Sequence, residues 1–327
     1  DVCSSDLFYG IFDPNDMRRD VSITMTGSNG KGVEKLIPFV PNSKAEGGGL
    51  TLNKWDENRQ ANPWVAAQRK SGINGPYMRM SEVYLGYAEV CAALGDVVTG
   101  KQYLKTVRER SFPQGLADTD GFIASFGNDL VRAIIEERGF EYAGEGDRRW
   151  TLIRSGYLPE DIKRIKDMTK AMMDGLATKG YYEFENGNII SAYIWTKLVD
   201  AKTIYGHRLT AQCPMDKVND PVLYPGWRGQ KDNWEEMGLN YGNSAPATNL
   251  AIKGLFEIVS EEEAASLESQ GYAKVNWGID LVDYRDEYDK YLFWDYDYVS
   301  APIYLWPFTP NVMAAGGFTN GYGFKQE

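Results

Sequence analysis

The stretch that decides the fold is residues 79–96, RMSEVYLGYAEVCAALGD. Met80, Val83, Tyr84, Tyr87, Cys91 and Leu94 recur at helical spacing, and Leu85, Ala88 and Ala92 form a second, smaller apolar row. The pattern predicts a helix that stops near Gly95, and apolar residues on two faces predict that it is sandwiched between neighbours. Arg79, Glu82 and Glu89 share one side of this helix, because spacings of three and seven return to the same face. They form either a catalytic face or a scaffold that needs fixed ion-pair partners. Catalytic carboxylates face each other across a cleft of roughly 5–9.5 Å. Two Glu two turns apart on one helix are separated by about 10.5 Å. Arg108, Arg110, Arg138 and Arg148 on neighbouring segments are ready counter-charges, so the expected reading is scaffold.

Outward from this helix, GKQYLKTVRERS continues as a second, with Tyr103, Leu104 and Val107 on one side. Asn128 or Asp129 caps a third, LVRAIIEERGFEYAGEG, broken by Gly144 and Gly146. DRRWTLIRSG makes a short fourth, closed by Gly156. LPEDIKRIKDMTKAMMDGLA follows with Pro159 in its first turn, and SEEEAASLES places acids where a helix dipole favours them. Short connections imply antiparallel neighbours and hence stacked helical hairpins. Residues 8–75 are loop-rich, with VSITM and KLIPFV as candidate strands. Residues 180–250 turn irregular, and DYVSAPIYLWPFTP reads as extended because of its prolines.

Composition excludes several function classes. The net charge of −11 argues against nucleic acid, whose phosphates are held by Lys and Arg patches. A single histidine, His207, removes most catalytic triads and His-rich metal sites. Cys3, Cys91 and Cys213 match no metal spacing, and Cys91 reads as a buried thiol. Asp295 and Asp297 offer oxygen ligands but lack a full calcium-loop spacing, so no metal and no cofactor is assigned. No run approaches the ~18 apolar residues of a membrane span. The 21 Tyr, 13 Phe and 9 Trp are unusually many. Back-translated, DVCSSDL fits GAC-GTG-TGC-TCT-TCC-GAT-CT, the end of a common short-read sequencing adapter. Residues 1–7 are therefore expected to be non-native and the reading frame a fragment.

Several segments together resemble the SusD/RagB family, the surface glycan-binding lipoproteins of Bacteroidetes. Arg79, Glu82, Tyr84, Leu85, Tyr87, Ala88 and Glu89 match its signature helix. TVRER resembles the end of its next helix. Glu137, Arg138, Glu141, Glu145, Gly146, Arg148, Leu152, Arg154 and Gly156 match its Glu-Arg…Glu…Glu-Gly-x-Arg…Leu-x-Arg-x-Gly segment. YLWPFTP and TNGYGF resemble its closing motifs, and NDMRRD the opening of its C-terminal region. Thr151 stands where the family usually has Asp, Thr309 replaces a Pro, and Gly321 directly follows Asn320 with no Pro between.

The resemblance implies a mainly α fold of stacked helical hairpins, a tetratricopeptide-like α-α superhelix with long irregular loops and a few short strands. Residues 8–327 then form the family's C-terminal region: a helical core over about 76–175, a variable aromatic loop region over about 176–290, and a closing extended segment over about 291–327. It implies a non-catalytic, surface-exposed outer-membrane lipoprotein whose anchor lies in a missing N-terminal part. That protein captures oligosaccharide and passes it to a SusC-like TonB-dependent transporter. Two rivals stand beside it, capture of oligopeptide and a helical glycoside hydrolase.

Sugars present flat C–H faces that stack on exposed rings flanked by polar groups. The loop LYPGWRGQKDNWEEMGLNYGN supplies Tyr224, Trp227, Arg228, Trp234, Asn240 and Tyr241 in that alternation, either as a ligand surface or as a loop pinned by its own aromatics. Trp64 joins the candidates because that part of the family often contributes a ring. Trp55, Trp150 and Trp306 are expected to be structural, Tyr193 and Trp195 to be core, and Trp294 either.

Overall fold

The computed structural model describes residues 7, 9–24, 26–28, 34–36, 50–52, 54–55, 75–200, 248–285, 297, 299–300, 304 and 310–317. Over these residues the fold is mainly α with short strands. A first helix, α1 (Arg18–Ser22), leads into β1 (Ile23–Thr24), which pairs with β4 (Thr51–Leu52), and β2 (Thr26–Ser28) pairs with β3 (Glu34–Leu36). The helical block comprises α2 (Met80–Ala93), α3 (Val97–Glu109), α4 (Thr119–Ala124), α5 (Leu130–Glu141), α6 (Asp147–Ser155) and α7 (Leu158–Lys179).

Local chemistry sets the helix ends. Asp96, Asp118 and Asp129 accept hydrogen bonds from the backbone N–H groups of Thr99, Gly121 and Arg132, at 3.1, 2.8 and 3.0 Å, starting α3, α4 and α5. Gly156 and Gly180, at φ 80° and 79°, close α6 and α7 in the left-handed region. Helices α2 and α3 form an antiparallel hairpin: Tyr84 and Tyr87 meet Tyr103, while a Cβ at Gly100 would lie 3.0 Å from the Ala88 carbonyl.

The hairpin buries Leu85, Ala88, Leu104 and Val107 against Ile123, Leu130, Ala133 and Ile134 of α4 and α5. Each of the Leu, Val and Ile side chains among them contributes roughly 1.5–3 kcal/mol relative to exposure. This corrects the expected sandwich. The smaller apolar row of α2 is the buried one, while Met80, Val83, Tyr87 and Leu94 are exposed among the described residues.

Among the described residues beyond α7 the chain is more regular than its composition suggests. The strands β5 (Tyr181–Glu183) and β6 (Ile189–Ser191) form a hairpin. The strand β7 (Tyr193–Asp200) lies between β8 (Thr248–Lys253) and β9 (Ala273–Asn276), antiparallel to both. The connection from β8 to β9 passes through α8 (Glu261–Ser269), which opens with a full capping box between Ser260 and Glu263. One face of this sheet, through Ile194, Leu250 and Ile252, packs with Met172, Met173 and Leu176 of α7, with Phe12 and with Trp277. A short helix α9 (Ile279–Asp283) adds Leu281 to that core. The irregular reading of residues 180–250 fails over 180–200 and 248–250, where short strands paired over a long sequence separation leave little local periodicity, and residues 201–247 lie outside the described residues. The closing segment is likewise not wholly extended, since α10 (Pro310–Gly316) starts on a proline, a residue tolerated at a helix's first position.

Candidate functional site

Helix α5 lies at the centre of the block and is buried nearly all round, including Arg132, Glu136, Glu137, Arg138 and Glu141. Unpaired charges in such a position would be costly, and each of these is engaged. Glu137 is fully buried and accepts hydrogen bonds from Arg18 and Arg108, both at 2.7 Å. One turn on, Glu141 accepts from Arg18 at 3.0 Å, from Arg110 and Ser81 at 2.7 Å each, and from Arg79. On another side of α5, Glu136 meets Arg132 at 2.7 Å and Arg148 at 2.9 Å. Arg138 donates to Glu82 of α2 at 2.9 Å and to Asp147 of α6 at 2.6 Å. Asp161 of α7 accepts from Arg148 at 3.0 Å and Arg164 at 2.8 Å. The lattice thus ties α1, α2, α3, α6 and α7 to α5 through directional, charge-assisted bonds.

The electrostatics oppose acid–base chemistry at two of these carboxylates, Glu141 and Asp161. Burial of Glu141 resists ionisation, but hydrogen bonds and charge from Arg110, Arg18 and Ser81 overcome it and hold the carboxyl at about 2. Asp161 is likewise held below its ordinary value, with burial outweighed by Arg148 and Arg164. A glycosidase acid needs the reverse, a carboxyl raised toward neutrality. The charged side of α2 belongs to the same lattice: Arg79 reaches Glu141 and Glu145, Glu82 takes Arg138, and Glu89 pairs with Arg154.

The sequence-derived ligand residues Trp64, Tyr224, Trp227, Arg228, Trp234, Asn240 and Tyr241 lie outside the described residues, as do Trp294, Asp295 and Trp306. Tyr193 and Trp195 sit on β7, half-buried and buried respectively, and Cys91 is buried. One expectation is corrected: Trp150, expected to be structural within its helix, is 60% exposed and is not a core ring, while Trp55 is 40% exposed. Helix α6 buries only a narrow face, through Thr151 and Leu152, and Trp150 falls off it. Among the described residues no group of His, Cys, Asp and Glu is placed to hold a metal ion. No described helix is long and apolar enough to cross a membrane.

Sequence reasoning passed over two arginines in NDMRRD. Arg18 bridges Asp16, Glu137 and Glu141, and Arg19 lies over the rings of Tyr9 and Phe256 at 5.2 and 4.5 Å. Of the partners of Arg18 only the local Asp16 was legible, because Glu137 and Glu141 are more than a hundred residues away.

Among the described residues, then, the chain is a mainly helical frame fastened by buried ion pairs, with the carboxylates of α5 engaged by arginines. This chain belongs to the SusD family, whose sequence model matches residues 4–307. A SusD-like protein, P25, of Formosa agariphila is 29% identical over 166 residues. That stretch covers 50% of this chain and 27% of the relative's length. No solved structure matches the chain.

Proposed function

We propose that this chain is the C-terminal portion of a non-catalytic outer-membrane lipoprotein that captures oligosaccharides at the cell surface. The cargo is passed to a partner SusC-like TonB-dependent transporter. The observation that carries this reading is the family match over residues 4–307. The charge lattice supports it: the buried carboxylates of α5 are committed to guanidinium partners, with Glu141 held at about 2. Binding then falls to aromatic rings flanked by polar groups, and Trp64, Tyr224, Trp227, Arg228, Trp234, Asn240 and Tyr241 form the proposed ligand surface. Rings stack on the C–H faces of the sugar while Arg228 and Asn240 bond its hydroxyls, and no covalent bond is broken. The helical hairpins form part of a tetratricopeptide-like superhelix that holds these loops.

The test is calorimetric titration of the full-length gene product with oligosaccharide and oligopeptide panels. The expected result is glycan binding that weakens at least about fivefold in the double variant Trp227→Ala/Trp234→Ala, given roughly 0.5–1.5 kcal/mol per ring. Unchanged glycan affinity in that variant removes the loop assignment. Peptide binding with no response to glycans removes the cargo, and turnover of a glycan removes the non-catalytic reading.

A further inference from the structure

The sheet formed by β7, β8 and β9 buries one face and gathers cations on the other. Side chains alternate along a strand, so Trp195 and Lys197 of β7 lie on the face opposite the core-facing Ile194. In strand register Trp195 stands between Lys253 of β8 and Lys274 of β9, and residues directly opposite one another share a face. Lys274 is exposed, while Lys197 and Lys253 are half-buried. Among the described residues none of these three lysines pairs with a carboxylate. Lys197 donates to the Gln270 carbonyl at 2.7 Å and lies 5.7 Å from the Tyr272 ring. The Lys274 ammonium sits 4.1 Å from the Tyr193 ring and 6.0 Å from that of Trp195. The indole N–H of Trp195 is buried and likewise finds no acceptor among the described residues. In the helical block, by contrast, Arg18, Arg108 and Arg138 each meet a carboxylate. Three cations left without an anion stand out in a chain whose net charge is −11.

We infer that this face binds the carboxylate or sulfate group of an acidic oligosaccharide, held by Lys197, Lys253 and Lys274. Lysine suits the task, because its ammonium is a point charge on a flexible stem and takes an oxyanion without demanding one fixed geometry. The rings of Tyr193 and Tyr272 hold Lys274 and Lys197 by their π faces, which fixes the stems and leaves the charges uncompensated. Size and charge select the ligand. The three strands span about 10 Å from β8 to β9, far short of the roughly 1,200 Å² at which separate proteins pair stably. Nucleic acid calls for many phosphate contacts, and the net charge of −11 repels it. A small ligand bearing one or a few anionic groups fits the face, and for a protein that captures glycans that ligand is a sugar acid or a sulfated sugar. The inference rests on the proposed function for the kind of ligand and adds its charge.

The experiment is NMR of the full-length gene product with its lysines carrying isotope-labelled dimethyl groups, which keep the charge. The three signals are assigned through Lys197→Arg, Lys253→Arg and Lys274→Arg. The protein is titrated at low ionic strength with oligogalacturonate, a sulfated galacto-oligosaccharide, a neutral galacto-oligosaccharide and a glutamate-rich peptide. The expected result is a saturable shift of the three signals with at least one acidic sugar and none with the neutral one; the acidic sugar that responds tells carboxylate from sulfate. Read through Lys197, affinity for that sugar should weaken at least about fivefold in Lys253→Gln/Lys274→Gln and be kept in Lys253→Arg/Lys274→Arg, which separates lost charge from lost fold. No saturable shift with either acidic sugar, an equal drift of every lysine signal, or a response to the peptide alone overturns the inference. Unmoved signals in a protein that still binds the neutral sugar fell this site alone, whereas binding of no glycan at all removes the proposed function with it.

Discussion

Glu137 and Glu89 are the same side chain, each paired with arginine, and the structure assigns them very different energetic weight. Glu137 is fully buried between Arg18 and Arg108, whose side chains are 12% and 3% exposed. Glu137→Gln keeps the volume and removes the charge, leaving Arg108 buried without its counter-ion. Breaking a buried pair in this way costs about 3–5 kcal/mol, most of it the uncompensated guanidinium. Glu89 is 16% exposed, but its partner Arg154 is 52% exposed, so water takes up the released charge. Glu89→Gln is then expected to cost no more than about 1 kcal/mol. At about 2 °C per kcal/mol for a large domain, thermal unfolding followed by circular dichroism should drop by about 6–10 °C for Glu137→Gln and by 2 °C or less for Glu89→Gln. Combining Glu137→Gln with Arg108→Met should cost less than the sum of the two single changes, because the orphaned charge goes with its partner. Equal shifts for Glu137→Gln and Glu89→Gln, or additive costs in the double variant, would refute the burial argument.

Two further outcomes follow from the same geometry. Glu141 titrates at about 2 in the folded protein against an ordinary 4.5, so its stabilisation is fully present above about 4.5 and is lost as the pH falls toward 2. The loss amounts to about 3 kcal/mol, and urea midpoints measured from pH 6 to 2.5 should fall less steeply for Glu141→Gln; an identical slope would contradict the assignment. Gly10 lies against the Phe184 ring, where an added Cβ would come within 2.2 Å, and its carbonyl accepts from Asn188 at 2.7 Å. Gly10→Ala should therefore destabilise by about 1–3 kcal/mol through overpacking, and an unchanged melting temperature would show that this contact is absent.

What the sequence determined by itself is what short-range physics controls. Helix α5 begins at Asp129 because a carboxylate beside free backbone N–H groups is a local arrangement, and α6 and α7 end at Gly156 and Gly180 for an equally local reason. The motif pattern around Arg79 and Glu141 also carried the family. Long-range matters were decided by the tertiary structure. Arg18 finds Glu137 and Glu141 across more than a hundred residues, and β7 finds β8 across the long stretch between Asp200 and Thr248. No periodicity within either segment announces such a partner. Exposure is the plainest case. An apolar row fits a core wall and an open face equally well, so α2 read as sandwiched, and Trp150 read as structural although it is 60% exposed. Burial depends on what packs alongside, and that is set by the three-dimensional arrangement of the other helices.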